Sequence, residues 1–441
     1  MELFKQQQWL GEFFTNDNFD RRFFGRVDYS PDKGIVLEFW SSSVELPMKS
    51  AIVHGILENG RKCTLVGDFS PDDFALGFVD KVVSRKGKVG FACLLIGDFI
   101  SSDELFDNIN FSLSNLQEFF FPKGFKDLVK YSESPLLKIV AEFGVIKVLN
   151  NASFGYLHAD ITKQIYSRNS QALDELKSAF TNISDRYPTS NFMLKKDIEY
   201  RIELSVNEGS TLEKMYKYIN HLADLFAILI YSPVHPESIQ IIKKITDGTD
   251  ESYRVIEVYP STVLNSKTVA ISSEQKHHVN MPITNAKVDL EAIVATWMRA
   301  PDRFSTVVSS IQNETGYREI HSLHGEIVLF STQFEAISHD ENQKNKKYEY
   351  PLKKYGTQKI VSEVERLFAA AGEEDVGVAI GKLRNEIVHV GRPKELTLSM
   401  SMSDLILLSQ LFELTIIGYI LKSIDVPAGV IEGYLDNFSP G

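Results

Sequence analysis

Two residues that suit phosphate chemistry lie five positions apart near the end of a predicted helix. The run from Arg384 to His389 begins with an arginine, has Asn385 directly after it and ends with a histidine. An arginine offers a permanently charged planar fork that matches phosphate oxygens, and a histidine takes or gives a proton near neutral pH. The residue types, rather than their spacing, suit a site that holds a phosphate group and moves a proton beside it.

A second arginine–histidine pair shows that the spacing alone does not identify a site. Arg318 is followed by His324 with five residues between them. Short patterns of this kind arise by chance in a chain of 441 residues, so the context has to decide. The polar Asn385, the position late in an all-helical region and the helix end just beyond favour Arg384 with His389.

Helix geometry sets a condition on this pair. Five residues at about 100° each place Arg384 and His389 about 140° apart around an ideal helix, so one regular helix does not bring them together. Either the final turn departs from α geometry before Gly391, or two copies of the chain share a site across a symmetric dimer. We favour the dimer.

The motifs of several common enzyme chemistries are absent from the sequence. It has no His-Glu-x-x-His zinc helix, no Gly-x-Ser-x-Gly nucleophile elbow and no Gly-x-Gly-x-x-Gly dinucleotide loop. Segment 377–382 resembles a phosphate-binding loop, but its spacing is one residue short and Leu383 stands where a hydroxyl is needed. No cofactor is expected.

Histidines offer a weaker route to metal chemistry. His321 and His324 lie three positions apart on a predicted helix near Glu326, so they could share an ion, but no third ligand is apparent. His277 and His278 point to opposite sides of an extended chain and so form no chelate alone. We expect no metal. A metal enzyme that uses His321 and His324 is the weakest of the three functions considered, after a ribonuclease and a non-catalytic binding protein.

Composition and charge bound the class of protein. Hydrophobic content of 43% and charged content of 24% in 441 residues predict two or three folded domains. A net charge of -12 excludes bulk attraction to nucleic acid, so any RNA contact must be a local basic site. Two cysteines and a start without an export signal predict a cytoplasmic protein. The apolar stretch 405–421 carries Glu413 near its middle, which predicts a packed helix and no membrane span.

The first two thirds of the chain carry strand signals. Phenylalanine residues concentrate before residue 150, where the strand-like runs 24–29 and 35–40 flank a Pro-Asp-Lys-Gly turn typical of a hairpin. The run from Cys63 to Phe69 is echoed by the run from Cys93 to Phe99, which we interpret as two similar strand ends in one sheet. Further elements are predicted for a strand at 195–205, a helix at 211–231 and short strands at 239–242 and 253–258.

Helical periodicity replaces strand alternation beyond about residues 280–287. A polar linker, expected to be mobile, is predicted at 340–347. Helices are predicted at 288–299, 302–312, 317–338, 357–371, 374–389, 401–423 and 427–436. The fold class is therefore α+β. We divide it into a β-rich and mixed domain at 1–285, with a possible break near 150, and an all-α domain at 286–441.

Residues at both ends of the chain resemble a known family. Phe24-Gly25-Arg26 ahead of the hairpin turn, followed by the segment 52–65, is similar to the N-terminal domain of ApeA-type phage-defence proteins. Arg384 and His389, with a polar residue after the arginine, resemble the Arg-x(4–6)-His signature of HEPN ribonucleases. ApeA-type proteins join such a domain to a C-terminal HEPN domain, so the resemblance covers nearly the whole chain.

The resemblance implies an endoribonuclease that needs no metal and is held quiet until a phage-derived trigger, expected to be a protein, appears. RNA supplies its own nucleophile, the 2′-hydroxyl, so His389 would move protons while Arg384 stabilises charge on phosphorus. Asn385 would position the ribose or the imidazole. The implied products carry 2′,3′-cyclic phosphate and 5′-hydroxyl ends. Transfer RNA is a common target of HEPN nucleases, and HEPN domains commonly form homodimers.

Nearby charged residues could assist such a reaction. Lys382, Arg392 and Lys394 flank the motif and are predicted to contact the RNA backbone. Glu326 and Glu335 could be auxiliary acids, although ordinary solvent-facing positions explain them better. Six lysines could also hold RNA, but a solvated linker explains them better: Lys344, Lys346, Lys347, Lys353, Lys354 and Lys359.

The alternative to catalysis is a binding role. A HEPN-like helical bundle could bind a nucleotide or a protein partner without cutting RNA, with the N-terminal region as a docking platform. Arg384 and His389 would then be ordinary surface residues at a helix end. A structure in which the two groups cannot approach one phosphate in any assembly would favour this alternative.

Overall fold

The computed structural model describes most of the chain. It describes residues 2–15, 22–41, 49–70, 75–79, 82–120, 135–156, 165–187, 193–247, 250–262, 264–299, 304, 308, 311–312, 320–389, 391 and 393–439. The described strands are β1 Gln7–Thr15, β2 Phe23–Ser30, β3 Gly34–Ser41, β4 Ser50–Leu57, β5 Lys62–Phe69, β6 Ala75–Val79, β7 Val82–Phe91, β8 Cys93–Ile96, β9 Phe106–Leu113, β10 Leu137–Ala141, β11 Gly144–Tyr156, β12 Met193–Ser210, β13 Pro236–Asp247 and β14 Asp250–Pro260.

Helices dominate the chain after the last strand. The described helices are α1 Leu116–Phe119, α2 Ser170–Arg186, α3 Leu212–Ile230, α4 Ser266–Ser273, α5 Leu290–Trp297, α6 Ile320–Asp340, α7 Glu349–Tyr355, α8 Gln358–Ala370, α9 Val376–Val388, α10 Glu395–Ser399, α11 Met402–Ser423 and α12 Ala428–Phe438. Short 3₁₀ turns occur at Glu2–Phe4, His278–Asn280, Asn285–Lys287 and Lys344–Lys346. A sheet region followed by a helical region confirms the predicted α+β class.

All fourteen described strands belong to one antiparallel sheet. Its order is β10-β11-β12-β9-β13-β14-β8-β5-β4-β1-β2-β3-β7-β6. β9 lies between β12 and β13, which come about a hundred residues later in the chain, so local sequence patterns could not show this arrangement. β11 pairs with β10 on one side and β12 on the other, and the sheet therefore runs without interruption across residue 150.

The predicted hairpin forms as β2 and β3. Val27 lies opposite Leu37 across the pair, and both are fully buried, as the alternating pattern requires. Gly34 at the turn has φ of +76°, and a Cβ at this position would lie 2.0 Å from the Ser261 hydroxyl oxygen. The turn therefore depends on glycine for both its backbone conformation and its space.

The echoed segments are neighbouring strands of the sheet, which confirms their interpretation as similar strand ends. β5 and β8 pair antiparallel, with Cys63 opposite Ile96 and Val66 opposite Cys93. Both cysteines are buried and free. Burial raises the pKa of each thiol to about 12, so neither is a thiolate nucleophile at neutral pH.

Two helices form much of the core. α3 begins at the cap residue Thr211, whose hydroxyl accepts a hydrogen bond from the Lys214 backbone, and it buries its apolar face. α11 is long and apolar enough to cross a membrane by length and composition, with a mean hydropathy of 1.7, but 78% of that window is buried inside the fold. Glu413 on α11 is 2% exposed and accepts a hydrogen bond from the Tyr231 hydroxyl at 3.1 Å.

The sheet region and the helical region meet at the carboxyl end of α3. The Tyr434 hydroxyl on α12 donates to the Ile228 carbonyl at 2.7 Å. The ring of Tyr231, directly after α3, lies 4.6 Å from that of Phe438, measured between centroids. These contacts join the last helix of the chain to the helix that covers the sheet.

Several predicted elements differ from the structure. The strands at 239–242 and 253–258 are parts of the longer β13 and β14. The expected linker at 340–347 is a turn with one 3₁₀ segment, and α7, which follows it, was not predicted. The predicted helix 302–312 lies largely outside the described residues. The other predicted helices agree with α5, α6, α8, α9, α11 and α12 to within a few residues where they are described.

Candidate active site

α9 carries the arginine–histidine motif and forms over the predicted residues. Asp375 caps the helix by accepting a hydrogen bond from the Val378 backbone at 3.0 Å. Ala379, Ile380 and Leu383 are fully buried and fix the helix against the neighbouring helices. Gly381 admits the ring of Tyr348, because a Cβ there would come within 3.0 Å of a ring carbon.

The last hydrogen bond of α9 is regular, but His389 itself leaves the helix, with φ of −101° and ψ of 108°. The helix ends at Val388, and the backbone N–H of His389 still donates to the Asn385 carbonyl at 3.0 Å. The backbone therefore leaves α geometry at His389, before Gly391, and both alternatives for bringing the pair together stay open. On an ideal helix the positions of Arg384 and His389 are about 140° apart, and those of Asn385 and His389 about 40° apart.

Arg384 lies beside an acidic side chain of α6. Its Nη2 atom is 4.0 Å from Oε2 of Glu335, and its side chain is 27% exposed. The other oxygen of Glu335 accepts hydrogen bonds from the Lys347 ammonium, at 2.7 Å, and from the Tyr348 hydroxyl. Burial opposes ionisation of Glu335, but these hydrogen bonds and the Arg384 charge hold its pKa below the ordinary value.

One donor of Arg384 has no partner among the described residues. Its Nε atom is buried and makes no hydrogen bond to any of them. The side chain of His389 is exposed and has no hydrogen-bond or ion-pair partner among the described residues. The partly exposed guanidinium of Arg384 and the exposed imidazole of His389 are therefore groups at the end of α9 that a ligand could reach.

Glu386, inside the motif, has a structural role that the sequence analysis missed. It is 3% exposed and accepts hydrogen bonds from the backbone of Leu396 at 3.2 Å and from the backbone and hydroxyl of Thr397, both at 2.9 Å. Burial opposes its ionisation, but these bonds lower its pKa. The carboxylate caps α10 and holds the chain that follows His389.

The predicted RNA-binding cations differ in their surroundings. Lys382 pairs with Glu373 at 2.7 Å and lies 3.8 Å from Glu395. Lys394 is exposed at the start of α10, and its side chain has no ion-pair partner among the described residues. Arg392 lies outside the described residues. Lys382 shares the exposed face of Asn385 and His389, since seven residues return to within about 20° on a helix.

Most of the predicted lysine run is engaged within the fold. Lys347 bonds Glu335, Lys353 bonds Glu349 at 2.6 Å, and Lys359 donates to the Ser439 carbonyl at 2.7 Å. Glu341 accepts hydrogen bonds from three groups of the segment that follows it: the Lys354 ammonium and the hydroxyls of Tyr350 and Tyr355. These contacts make the run part of a packed corner between α6 and α7.

The histidines singled out in the sequence lie in different surroundings. Arg318 lies outside the described residues, as does the side chain of His321, and Glu326 accepts a hydrogen bond from the Ser409 hydroxyl at 3.0 Å. His277 and His278 would point apart only in an extended segment, and this condition is not met because His278 begins a 3₁₀ turn. Their ring centroids lie 4.2 Å apart.

The fold is of the α+β class. A large antiparallel sheet is followed by a helical region, which contains Arg384 and His389. Residues 8–297 match the family model described as ApeA N-terminal domain 1, which covers about two thirds of the chain. The chain therefore belongs to the ApeA family, whose N-terminal domain is associated with anti-phage defence. No curated protein and no solved structure gives a significant match. The family match ends at Trp297, the last residue of α5.

Proposed function

We propose that this protein is an anti-phage endoribonuclease whose helical region is a HEPN domain and whose active site contains Arg384 and His389. The observation that supports it most is the state of these two groups on α9. Arg384 has a buried Nε donor without a partner, and His389 is exposed at the helix end with its imidazole unengaged among the described residues. Membership of a phage-defence family gives such a site a biological setting.

The proposed reaction needs only proton transfer and charge stabilisation. His389 removes the proton of a ribose 2′-hydroxyl, whose oxygen attacks the adjacent phosphorus. Arg384 donates hydrogen bonds to the phosphate oxygens as negative charge increases on them. The bond from phosphorus to the 5′-oxygen breaks, and that oxygen takes a proton from an imidazolium. The products are a 2′,3′-cyclic phosphate and a 5′-hydroxyl, and no metal or cofactor takes part.

Helix geometry favours a site shared by two chains. On an ideal helix the positions of Arg384 and His389 in one chain are about 140° apart. A twofold axis near this helix end would bring the imidazole of one protomer toward the guanidinium of its partner. We therefore propose a homodimer formed through the helical region.

The remaining proposals concern RNA and regulation. Lys394 and Arg392 follow the motif and would contact the RNA backbone, and Lys382 would join them if RNA displaced Glu373 and Glu395. The N-terminal sheet would restrain the nuclease or sense a phage-derived protein in the cytoplasm. Transfer RNA is the first substrate to try.

A non-catalytic binding role is the second candidate. The 4.0 Å approach of Arg384 to Glu335 favours it, since an arginine can sit beside a carboxylate for structural reasons alone. Glu335→Gln separates the two proposals. In a nuclease this variant still cuts RNA, whereas a binding module cuts none in either form.

End mapping tests the proposed function. Full-length protein is incubated with total RNA, a chelator and extract from phage-infected cells, beside His389→Ala and the control His339→Ala. His339 is an exposed histidine of α6. We expect new 2′,3′-cyclic phosphate ends with the wild type and with His339→Ala, and none with His389→Ala. Absence of cleavage by the activated wild type, or equal cleavage by His389→Ala, would refute the proposal.

A further inference from the structure

Two histidines and a carboxylate converge away from α9, where α1 meets the 3₁₀ turn His278–Asn280. One donor atom each of Glu118, His277 and His278 lies within 4.8 Å of the other two, and this is the one group of its kind found among the described residues. Nδ1 of His278 lies 2.9 Å from Oε2 of Glu118, which also accepts the backbone N–H of His278 at 3.1 Å. The three side chains belong to elements about 160 residues apart.

Neighbouring contacts hold this arrangement in place. The backbone N–H of Lys276 donates to Oδ1 of Asn115 at 2.6 Å, directly before α1. The Lys276 ammonium donates to the carbonyls of Ile230 and Tyr231 at 2.9 and 3.3 Å, at the end of α3. The histidine-bearing segment is thus anchored on its N-terminal side, so a ligand that binds there loses little chain entropy.

We propose that Glu118, His277 and His278 form a binding site for a divalent transition-metal ion, with zinc the best match. Two imidazole nitrogens and one carboxylate oxygen are a donor set that zinc binds readily, whereas magnesium and calcium prefer oxygen ligands alone. The fourth position would be taken by water.

The fit requires only small movements. Zinc binds nitrogen and oxygen at about 2.0–2.2 Å, which places the ligand atoms of a tetrahedral site about 3.3 Å apart. The His278–Glu118 pair is at 2.9 Å and must open slightly, while the exposed ring of His277 must approach. The ion takes the place of the hydrogen between Nδ1 and the carboxylate, and the ring carries its proton on Nε2 instead.

The site's position indicates a structural or regulatory role. It joins α1, which follows β9 of the sheet, to the segment that leads into α5. The adjoining Lys276 ammonium also lies 5.5 Å from the ring centroid of Phe438 on α12. A bound ion would fasten the chain at the seam between the sheet and the helices. None of its ligands belongs to α6 or α9, so the RNA chemistry proposed above does not use it.

Metal titration of the full-length protein tests the site. The chain is stripped with chelator, titrated with Zn²⁺ by calorimetry and with Co²⁺ by visible absorption, and compared with His277→Ala, Glu118→Gln and the control His339→Ala. His277→Ala is the main variant because this side chain is exposed. It accepts a 3.4 Å hydrogen bond from the Val279 backbone and contacts the ring of His278. We expect one equivalent of Zn²⁺ and the absorption of tetrahedral Co²⁺ in the wild type and in His339→Ala.

In both site variants the affinity should fall at least about tenfold. Circular dichroism of His277→Ala checks that the fold is kept. A wild-type protein that binds neither ion, or a folded His277→Ala that binds Zn²⁺ as tightly as the wild type, would overturn the proposal. RNA cleavage is not the readout, so failure of the nuclease proposal and failure of this one are distinguishable.

Discussion

Asp98, two residues after β8, and the arginine–histidine pair of α9 differ in how fully the fold satisfies their polar groups. Asp98 is held by Arg254 at 2.6 Å and by Lys243 at 3.4 Å, and its charge is satisfied within the chain. On α9, Arg384 retains a buried donor without a partner, and His389 has an imidazole with no partner in the described part of the protein. Folded proteins leave few such groups unsatisfied, and exceptions concentrate where a ligand binds. The sheet also has buried atoms without a hydrogen-bond partner among the described residues, on Asn110, Ser210 and Glu237. The exposed imidazole of His389 beside Arg384 is what distinguishes the end of α9, and it is the reason we propose a site there.

Replacing Arg384 should have the largest effect on RNA cleavage. Arg384→Ala removes the proposed donor to the phosphate and should slow RNA cleavage by about 100- to 1000-fold with little loss of stability. Arg384→Lys keeps a positive charge but loses the planar guanidinium, so we expect its cleavage rate to lie between those of the wild type and Arg384→Ala. Rates are measured with activated full-length protein on one labelled RNA. The sheet variant Arg254→Ala is the control, and a loss of cleavage there as large as in Arg384→Ala would contradict the comparison.

Replacing Glu386 tests the structural role of a residue on the same helix. Glu386→Ala removes a buried carboxylate that accepts three hydrogen bonds from the start of α10. We expect the free energy of unfolding to fall by about 2–4 kcal/mol, because two backbone donors lose a charged acceptor. Urea denaturation of the full chain measures it. An unchanged midpoint would show that α10 is held by other contacts.

The α6–α7 corner predicts a pH dependence. Burial opposes ionisation of Glu341, but hydrogen bonds from Lys354, Tyr350 and Tyr355 lower its pKa from 4.5 to about 2. Because the folded state has the lower pKa, this carboxylate stabilises the fold fully above about pH 4.5, and the contribution is lost as the pH falls toward 2. Thermal denaturation between pH 6 and pH 3 should show a shallower loss in Glu341→Gln than in the wild type. Parallel curves would contradict the assignment.

The smallest expected effect concerns RNA affinity. Lys394→Ala removes one proposed phosphate contact, which should weaken binding to any single-stranded RNA by a few-fold and lower the salt slope of log K by about 0.7. Binding is measured by fluorescence anisotropy at several salt concentrations, in a His389→Ala background to prevent cleavage. Lys344, exposed in the 3₁₀ turn after α6, provides the control variant Lys344→Ala. Equal slopes for the two variants would remove Lys394 from the proposed RNA path.

Local patterns were enough for elements whose cause is local. The hairpin of β2 and β3 followed from alternation and a turn, and α9 followed from the spacing of its apolar residues and from its end. α7 was missed because its lysines and Pro351 look like a linker. A proline is tolerated within the first turn of a helix, where its missing N–H has no partner to lose.

Tertiary contacts explain what sequence reasoning missed at the sites. The cap that Glu386 provides depends on where the chain returns after His389, which no spacing shows. Glu118 could not be linked to His277 and His278 because the sheet brings them together from positions about 160 residues apart. The sequence also does not show that Glu335 on α6 lies beside Arg384, because the contact depends on how the two helices pack.

A heterodimer of two inactive chains tests the central claim most directly, that Arg384 of one protomer acts with His389 of its partner. Arg384→Ala and His389→Ala chains with different affinity tags are co-expressed, and the mixed dimer is purified through both tags. Because one of its two shared sites is intact, the account predicts about half the wild-type cleavage rate, while each variant alone is inactive. A mixed dimer as inactive as its parents would contradict it.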